Sequence, residues 1–125
     1  MANNKILLID DDLEDAELFM EAVLLEHPDT ICNIATNPLV AFEDLMVSED
    51  LPDWIFVDFN MPAINGAELI HKMKSETRLA HISFVLMSSH SYEVIASLTS
   101  KYEKVKYIVK PSSFPEMVAL VGSVL

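Results

Sequence analysis

Short apolar runs that end abruptly in polar residues alternate along this chain with stretches of helical period. That alternation predicts an α/β domain built on a mostly parallel sheet, with helices covering both faces. Three observations carry the prediction. Five segments have strand length and strand composition: Lys5–Ile9, Thr30–Thr36, Trp54–Val57, Ile82–Met87 and Val105–Val109. Each is followed by a stretch whose apolar residues recur at helical spacing. No internal repeat, low-complexity tract or linker interrupts the pattern, and 125 residues, half of them hydrophobic, suit one core. Residues 1–125 are therefore expected to form a single domain.

The first run, Lys-Ile-Leu-Leu-Ile, stops at Asp10, Asp11 and Asp12, as a strand buried on both faces would. From Leu13 the apolar positions Ala16, Phe19, Ala22 and Val23 follow a helix, with Asp12 as its N-cap and Glu14 and Asp15 complementing the dipole. That helix should close near His27, before Pro28. Thr30–Thr36 alternates in polarity and reads as an edge strand. Asn37-Pro38 opens a second helix through Met46, with proline in the first turn.

Trp54–Val57 delivers Asp58, and the chain then breaks at Met61-Pro62 and Asn65-Gly66. A third helix follows over Gly66–Glu76, then the strand Ile82–Met87 and a serine-rich turn. Tyr92–Leu98 is a short, weakly patterned helix. The fifth strand runs into Lys110-Pro111, and Ser112 or Ser113 caps a last helix reaching Leu125.

Composition excludes several classes. Twenty acidic residues against eight basic ones give a formal charge of −12, which repels a phosphate backbone and argues against direct DNA binding. The N-terminus has neither a signal-peptide core nor a membrane span, so a cytoplasmic location without membrane association is expected. The lone Cys32 cannot form an internal disulfide and reads as a small buried hydrophobe. The four histidines, His27, His71, His81 and His90, lack zinc-ligand spacing and read as solvated residues.

In an open parallel sheet, ligands bind beyond the carboxyl ends of the strands, where strand order reverses. That rule gathers Asp10 and Asp11, Asp58, Ser88 and Lys110 at one rim. Three close carboxylates cannot all stay ionised without a cation among them. Hard oxygen ligands in an incomplete cage favour Mg²⁺. Such an ion, with a lysine and a hydroxyl, is equipped to neutralise a phosphoryl group, and Asp58 is the carboxylate placed to accept one.

With those positions in view, the chain resembles the receiver domain of two-component response regulators along essentially its whole length. The matching residues are the acidic pair Asp10-Asp11, Asp58 as phosphoacceptor, Ser88 for the Ser/Thr position and Lys110-Pro111; Ser88 lies 30 positions and Lys110 52 positions after Asp58. The resemblance implies a flavodoxin-like (βα)5 three-layer sandwich with a parallel sheet in the order 2-1-3-4-5. It implies Mg²⁺ bound by Asp10, Asp11, Asp58 and the Asn60 carbonyl, and phosphoryl transfer to Asp58 from the phosphohistidine of a sensor histidine kinase or phosphotransfer protein. Lys110 would pair with the phosphoryl oxygens, Ser88 and Tyr107 would act as the switch, and Pro111 is a candidate cis-proline. The face made by the fourth helix, fifth strand and fifth helix would then change for a downstream protein. The domain would be no enzyme beyond its own phosphorylation and dephosphorylation.

Some features depart from the family pattern. Ser88 replaces the commoner threonine, Phe59 is bulky for its rim position, and His90 stands where water access to the phosphoryl group is modulated. With nothing after Leu125, the chain is expected to work by docking or by relaying phosphate. Lys101, Lys104 and Lys106 could meet an acidic partner or a second copy in a homodimer, although such a cluster is more often a solvated face.

Taken singly, every one of these residues has an ordinary reading, as helix cap, turn residue or strand packing. Their agreement in order and spacing is what carries weight. A haloacid-dehalogenase-type phosphatase would use Asp10 and Asp12 but needs a later acidic pair, and only Glu116 follows Lys110. A pseudo-receiver would lack one of the chemical positions. A flavin or nucleotide site would need a glycine-rich loop, and the chain has only two glycines, Gly66 and Gly122.

Overall fold

The structure is a computed structural model and describes residues 4–89 and 104–125. The expected helix at Tyr92–Leu98, His90 and Lys101 lie outside the described residues. In chain order the elements are β1 (Lys5–Ile9), α1 (Leu13–Glu26), β2 (Ile31–Ala35), α2 (Pro38–Val47), β3 (Trp54–Asp58), α3 (Gly66–Lys74), β4 (Ser83–Ser88), β5 (Val105–Val109) and α4 (Phe114–Val124). The five strands are parallel and lie in the order β2-β1-β3-β4-β5. β2 is an edge strand, as its alternating polarity predicts.

Strand periodicity sorts the interior into two layers. Ile9, Ile55, Val57 and Leu86 point to one face, under Leu69 and Ile70 of α3. Ile6, Leu8, Phe56 and Val85 point to the other, under Phe19 of α1 and Val121 of α4. Phe19 and Phe56 meet with ring centroids 4.9 Å apart. Each fully buried side chain of this size contributes about 1.5–3 kcal/mol, enough collectively to hold a charged rim in place.

The helix starts follow from their capping residues. Asp12 accepts from the Glu14 and Asp15 N–H groups, and Asn37 accepts from those of Leu39 and Val40. Asn65 and Glu68 form a reciprocal capping box. Ser113, rather than Ser112, caps α4.

Three expectations need adjusting. Helix α3 ends at Lys74 instead of Glu76, because the Glu76 N–H reaches back only three residues, to the Met73 carbonyl, and tightens the last turn. Ser88 is the last residue of β4 rather than the first after it. Pro111 is not a cis-proline: no peptide bond among the described residues is cis. Lys110 meets its partners with the trans bond, which X–Pro sequences favour by about 0.5–1 kcal/mol.

Candidate functional site

The strand order reverses at β1, whose neighbours β2 and β3 are reached in opposite directions. The crevice between the carboxyl ends of β1 and β3 is therefore the topological switch point. Asp10 and Asp58 stand on its two sides. Asp10 directly follows β1 and is 1% exposed; its N–H donates to the Ala35 carbonyl at 3.1 Å, and its Oδ1 accepts from the Asp12 N–H at 3.0 Å. Asp58 is the last residue of β3 and is 7% exposed. One oxygen from each of Asp10, Asp11 and Asp58 falls in a group whose members all lie within 4.8 Å of one another.

Lys110 follows β5, and its N–H donates to the Ser88 carbonyl at 2.8 Å. Its ammonium lies 3.1 Å from Asp10 Oδ2, 3.2 Å from Asp15 Oδ2 and 3.5 Å from Asp58 Oδ1. Ser88 is fully buried at the end of the strand between β3 and β5. The structure thus brings Asp10, Asp11, Asp58 and Lys110 together and sets Ser88 on the adjacent strand end.

Two other expected residues are less enclosed. Asn60 is exposed in the loop beyond β3. Tyr107 sits on β5 opposite Leu86, half-buried against the layer beneath α3.

Burial dominates the electrostatics. It pushes the Asp58 carboxyl up to about 6, with Lys110 opposing the shift and the charges of Asp10 and Asp11 adding to it. Asp10 is also raised, again chiefly by burial, against the Asp12 N–H and Lys110. For Lys110, burial pulls the ammonium down, but Asp10 and Asp58 outweigh it and leave the group raised. One lysine cannot fully compensate this carboxylate group. The carboxylate oxygens are hard, partly buried and converging, so the donor set fits a small divalent cation.

Sequence reasoning missed two residues here. Asp15 complements the helix dipole, yet it is also one of the three partners of Lys110; its place in the first turn of α1, just after the end of β1, is the available signal. Gly66 was read as punctuation. Its N–H donates to the Phe59 carbonyl at 2.9 Å, and a Cβ there would lie 2.5 Å from the Asp58 carbonyl oxygen and 2.7 Å from Leu86 Cδ1. Only glycine lets the start of α3 close onto the strand end that presents Asp58.

The family profile of the response regulator receiver domain matches residues 6–122. The chain belongs to that family. Histidine kinase P4 of Formosa agariphila is 31% identical over 124 residues, spanning 95% of this chain and 8% of the kinase. The receiver also superposes on the phosphorylated cyanobacterial phytochrome response regulator RcpA with a TM-score of 0.87 at 23% identity, covering 98% of this chain and 91% of that one. For the Mn(2+)-bound form of response regulator Rcp1 the TM-score is 0.83 at 21% identity, with 97% and 91% covered. At those identities the two structures speak for the fold alone.

As a receiver, the chain is a signalling module of two-component systems, a class that interacts with histidine kinases. Among the described residues no helix is long and apolar enough to cross a membrane.

Proposed function

We propose that this receiver accepts a phosphoryl group on Asp58 from the phosphohistidine of a sensor kinase or histidine phosphotransfer protein. The observation that carries the reading is Asp58 itself, buried at the switch point beside Asp10 and Asp11 and within reach of Lys110. Its carboxyl, near 6, is mostly ionised at neutral pH and so remains a nucleophile. An Asp58 oxygen bonds to phosphorus as the phosphorus–nitrogen bond breaks and the imidazole leaves.

Mg²⁺ held by Asp10, Asp11, Asp58 and the Asn60 carbonyl would supply charge neutralisation for the phosphoryl oxygens. Lys110 pairs with one of those oxygens, and the Ser88 hydroxyl donates to another. Drawing Ser88 toward the phosphoryl group frees room for Tyr107 to turn inward, which reshapes the face around β5 and α4 for a protein partner. The same residues promote hydrolysis of the acyl phosphate, and no other enzymatic activity is proposed. The acidic surface suits protein partners rather than DNA. The phosphorylated state named for RcpA and the Mn(2+) named for Rcp1 lend this reading support by likeness of fold.

Intact mass after incubation with acetyl phosphate, with Mg²⁺ or with chelator, tests it. One added phosphoryl group that requires both Mg²⁺ and Asp58 is the expected result. An Asp58→Asn variant labelled as fully as wild type would move the acceptor elsewhere. A wild type that neither labels nor binds beryllofluoride would leave a receiver fold that works by constitutive binding.

A further inference from the structure

The ammonium of Lys110 has three protons and three carboxylate partners, so its donors are fully engaged. The partners differ in what else they do. Asp10 and Asp58 belong to the carboxylate group able to hold a cation; Asp15 does not. Asp15 lies on the first turn of α1, and its side chain is 47% exposed. Together with Lys110, Leu18, Phe114 and Met117 it lines an open cleft of about 880 Å³. The longest of the three contacts, 3.5 Å, is the one to Asp58, although Asp58 is far more buried than Asp15.

We infer that Asp15 is a positioning residue that draws the Lys110 ammonium toward this cleft, keeping it from closing onto Asp58. The inference rests on the proposed phosphoacceptor role of Asp58. Lys110 is an internal counter-ion. Set fully against Asp58, it would compete with a divalent cation for the same oxygens and cover the atom that must reach phosphorus. Asp15 offers it a third anchor that a cation among Asp10, Asp11 and Asp58 does not claim. Because Asp15 is half-exposed, its hold is weak enough to release Lys110 toward an arriving phosphoryl group. The ordinary alternative is that Asp15 merely complements the helix dipole, as its exposed neighbour Glu14 does.

The two readings separate by titration of the metal-free protein with Mg²⁺ in a calorimeter. Asp15→Asn is compared with Glu14→Gln, which removes the same charge from the same turn without touching Lys110. Asp15→Asn is expected to weaken Mg²⁺ binding about fivefold beyond the control, the size of a partly exposed ion pair. Labelling by acetyl phosphate should slow by a similar factor at limiting Mg²⁺ and recover at saturation. In a Lys110→Ala background the excess effect should vanish, because Asp15 acts through that lysine.

Equal behaviour of Asp15→Asn and Glu14→Gln overturns the inference, as does an Asp15 effect that persists without Lys110. A wild type that binds Mg²⁺ and labels, yet shows either of these, refutes the role of Asp15 alone. A wild type that does neither overturns the phosphoacceptor reading beneath it.

Discussion

Replacing Asp58 by Asn should make the metal-free protein more stable, not less. The folded site raises this carboxyl from 3.8 to about 6, chiefly by burial, after the attraction of Lys110 has been included. A raised carboxyl contributes its full favourable share below the ordinary value, where it is protonated in both states. That share is lost as pH rises through about 6, because the unfolded chain ionises more easily than the folded one. At pH 7.5 the ionised Asp58 therefore costs about 2–3 kcal/mol. Asn is nearly isosteric and cannot ionise, so it escapes that cost, while Lys110 keeps Asp10 and Asp15.

Urea unfolding in chelator at pH 7.5 should give Asp58→Asn a higher midpoint at unchanged slope, with a gain of about 2–3 kcal/mol. The gain should shrink as pH falls through about 6. Adding Mg²⁺ should stabilise wild type more than the variant and narrow the gap, since a ligand of the folded state adds to stability through its own occupancy. A variant equal to or less stable than wild type in chelator at pH 7.5 would refute the claim that ionised Asp58 is held in an unfavourable place.

Gly66→Ala should cost about 2–3 kcal/mol, measured by the same urea titration, because the new methyl would strike the backbone carbonyl oxygen of Asp58 as well as the buried Leu86 Cδ1. Its labelling by acetyl phosphate should fall as well, since the backbone that presents Asp58 must shift. Cys32 is half-buried, and burial pushes its thiol up to about 11; at pH 7.5 a disulfide reagent should modify it far more slowly in the native protein than in urea. Equal rates would mean that β2 opens readily at its edge.

The sheet and the placement of Asp58 were legible because each rests on local patterns that agree. The run Trp54–Val57 ending in Asp58 has one reading as a buried strand, and the strand-end rule then fixes where its acid must stand. Asp10, Ser88 and Lys110 were found in the same way, each at the end of an apolar run. Asp15 and Gly66 escaped for a shared reason. What they do is decided by the chain across the crevice: Asp15 meets a lysine 95 positions away, and Gly66 meets the carbonyl of the preceding strand. Sequence spacing reports what a residue can do for its own helix, and both residues had a sufficient local explanation as first-turn acid and helix start. The trans bond before Pro111 is another fact of three-dimensional context that the dipeptide does not display.

The site and the core divide the work in opposite senses. Below the rim, both layers are apolar and locally consistent, with Ile55, Val57 and Phe56 of β3 almost fully enclosed. At the rim the same strand ends in a carboxylate whose charge the fold opposes. A strand that rigid cannot withdraw Asp58 into solvent, so the unfavourable charge has to be answered by something that comes to it: a cation, or a change in the carboxylate itself. Lys110 answers it only in part, because it is shared with Asp10 and Asp15. In the proposed role of Asp58 as phosphoacceptor, incomplete compensation is what keeps it reactive, since a lysine bound to Asp58 alone would stabilise the resting site and cover the oxygen that has to reach phosphorus.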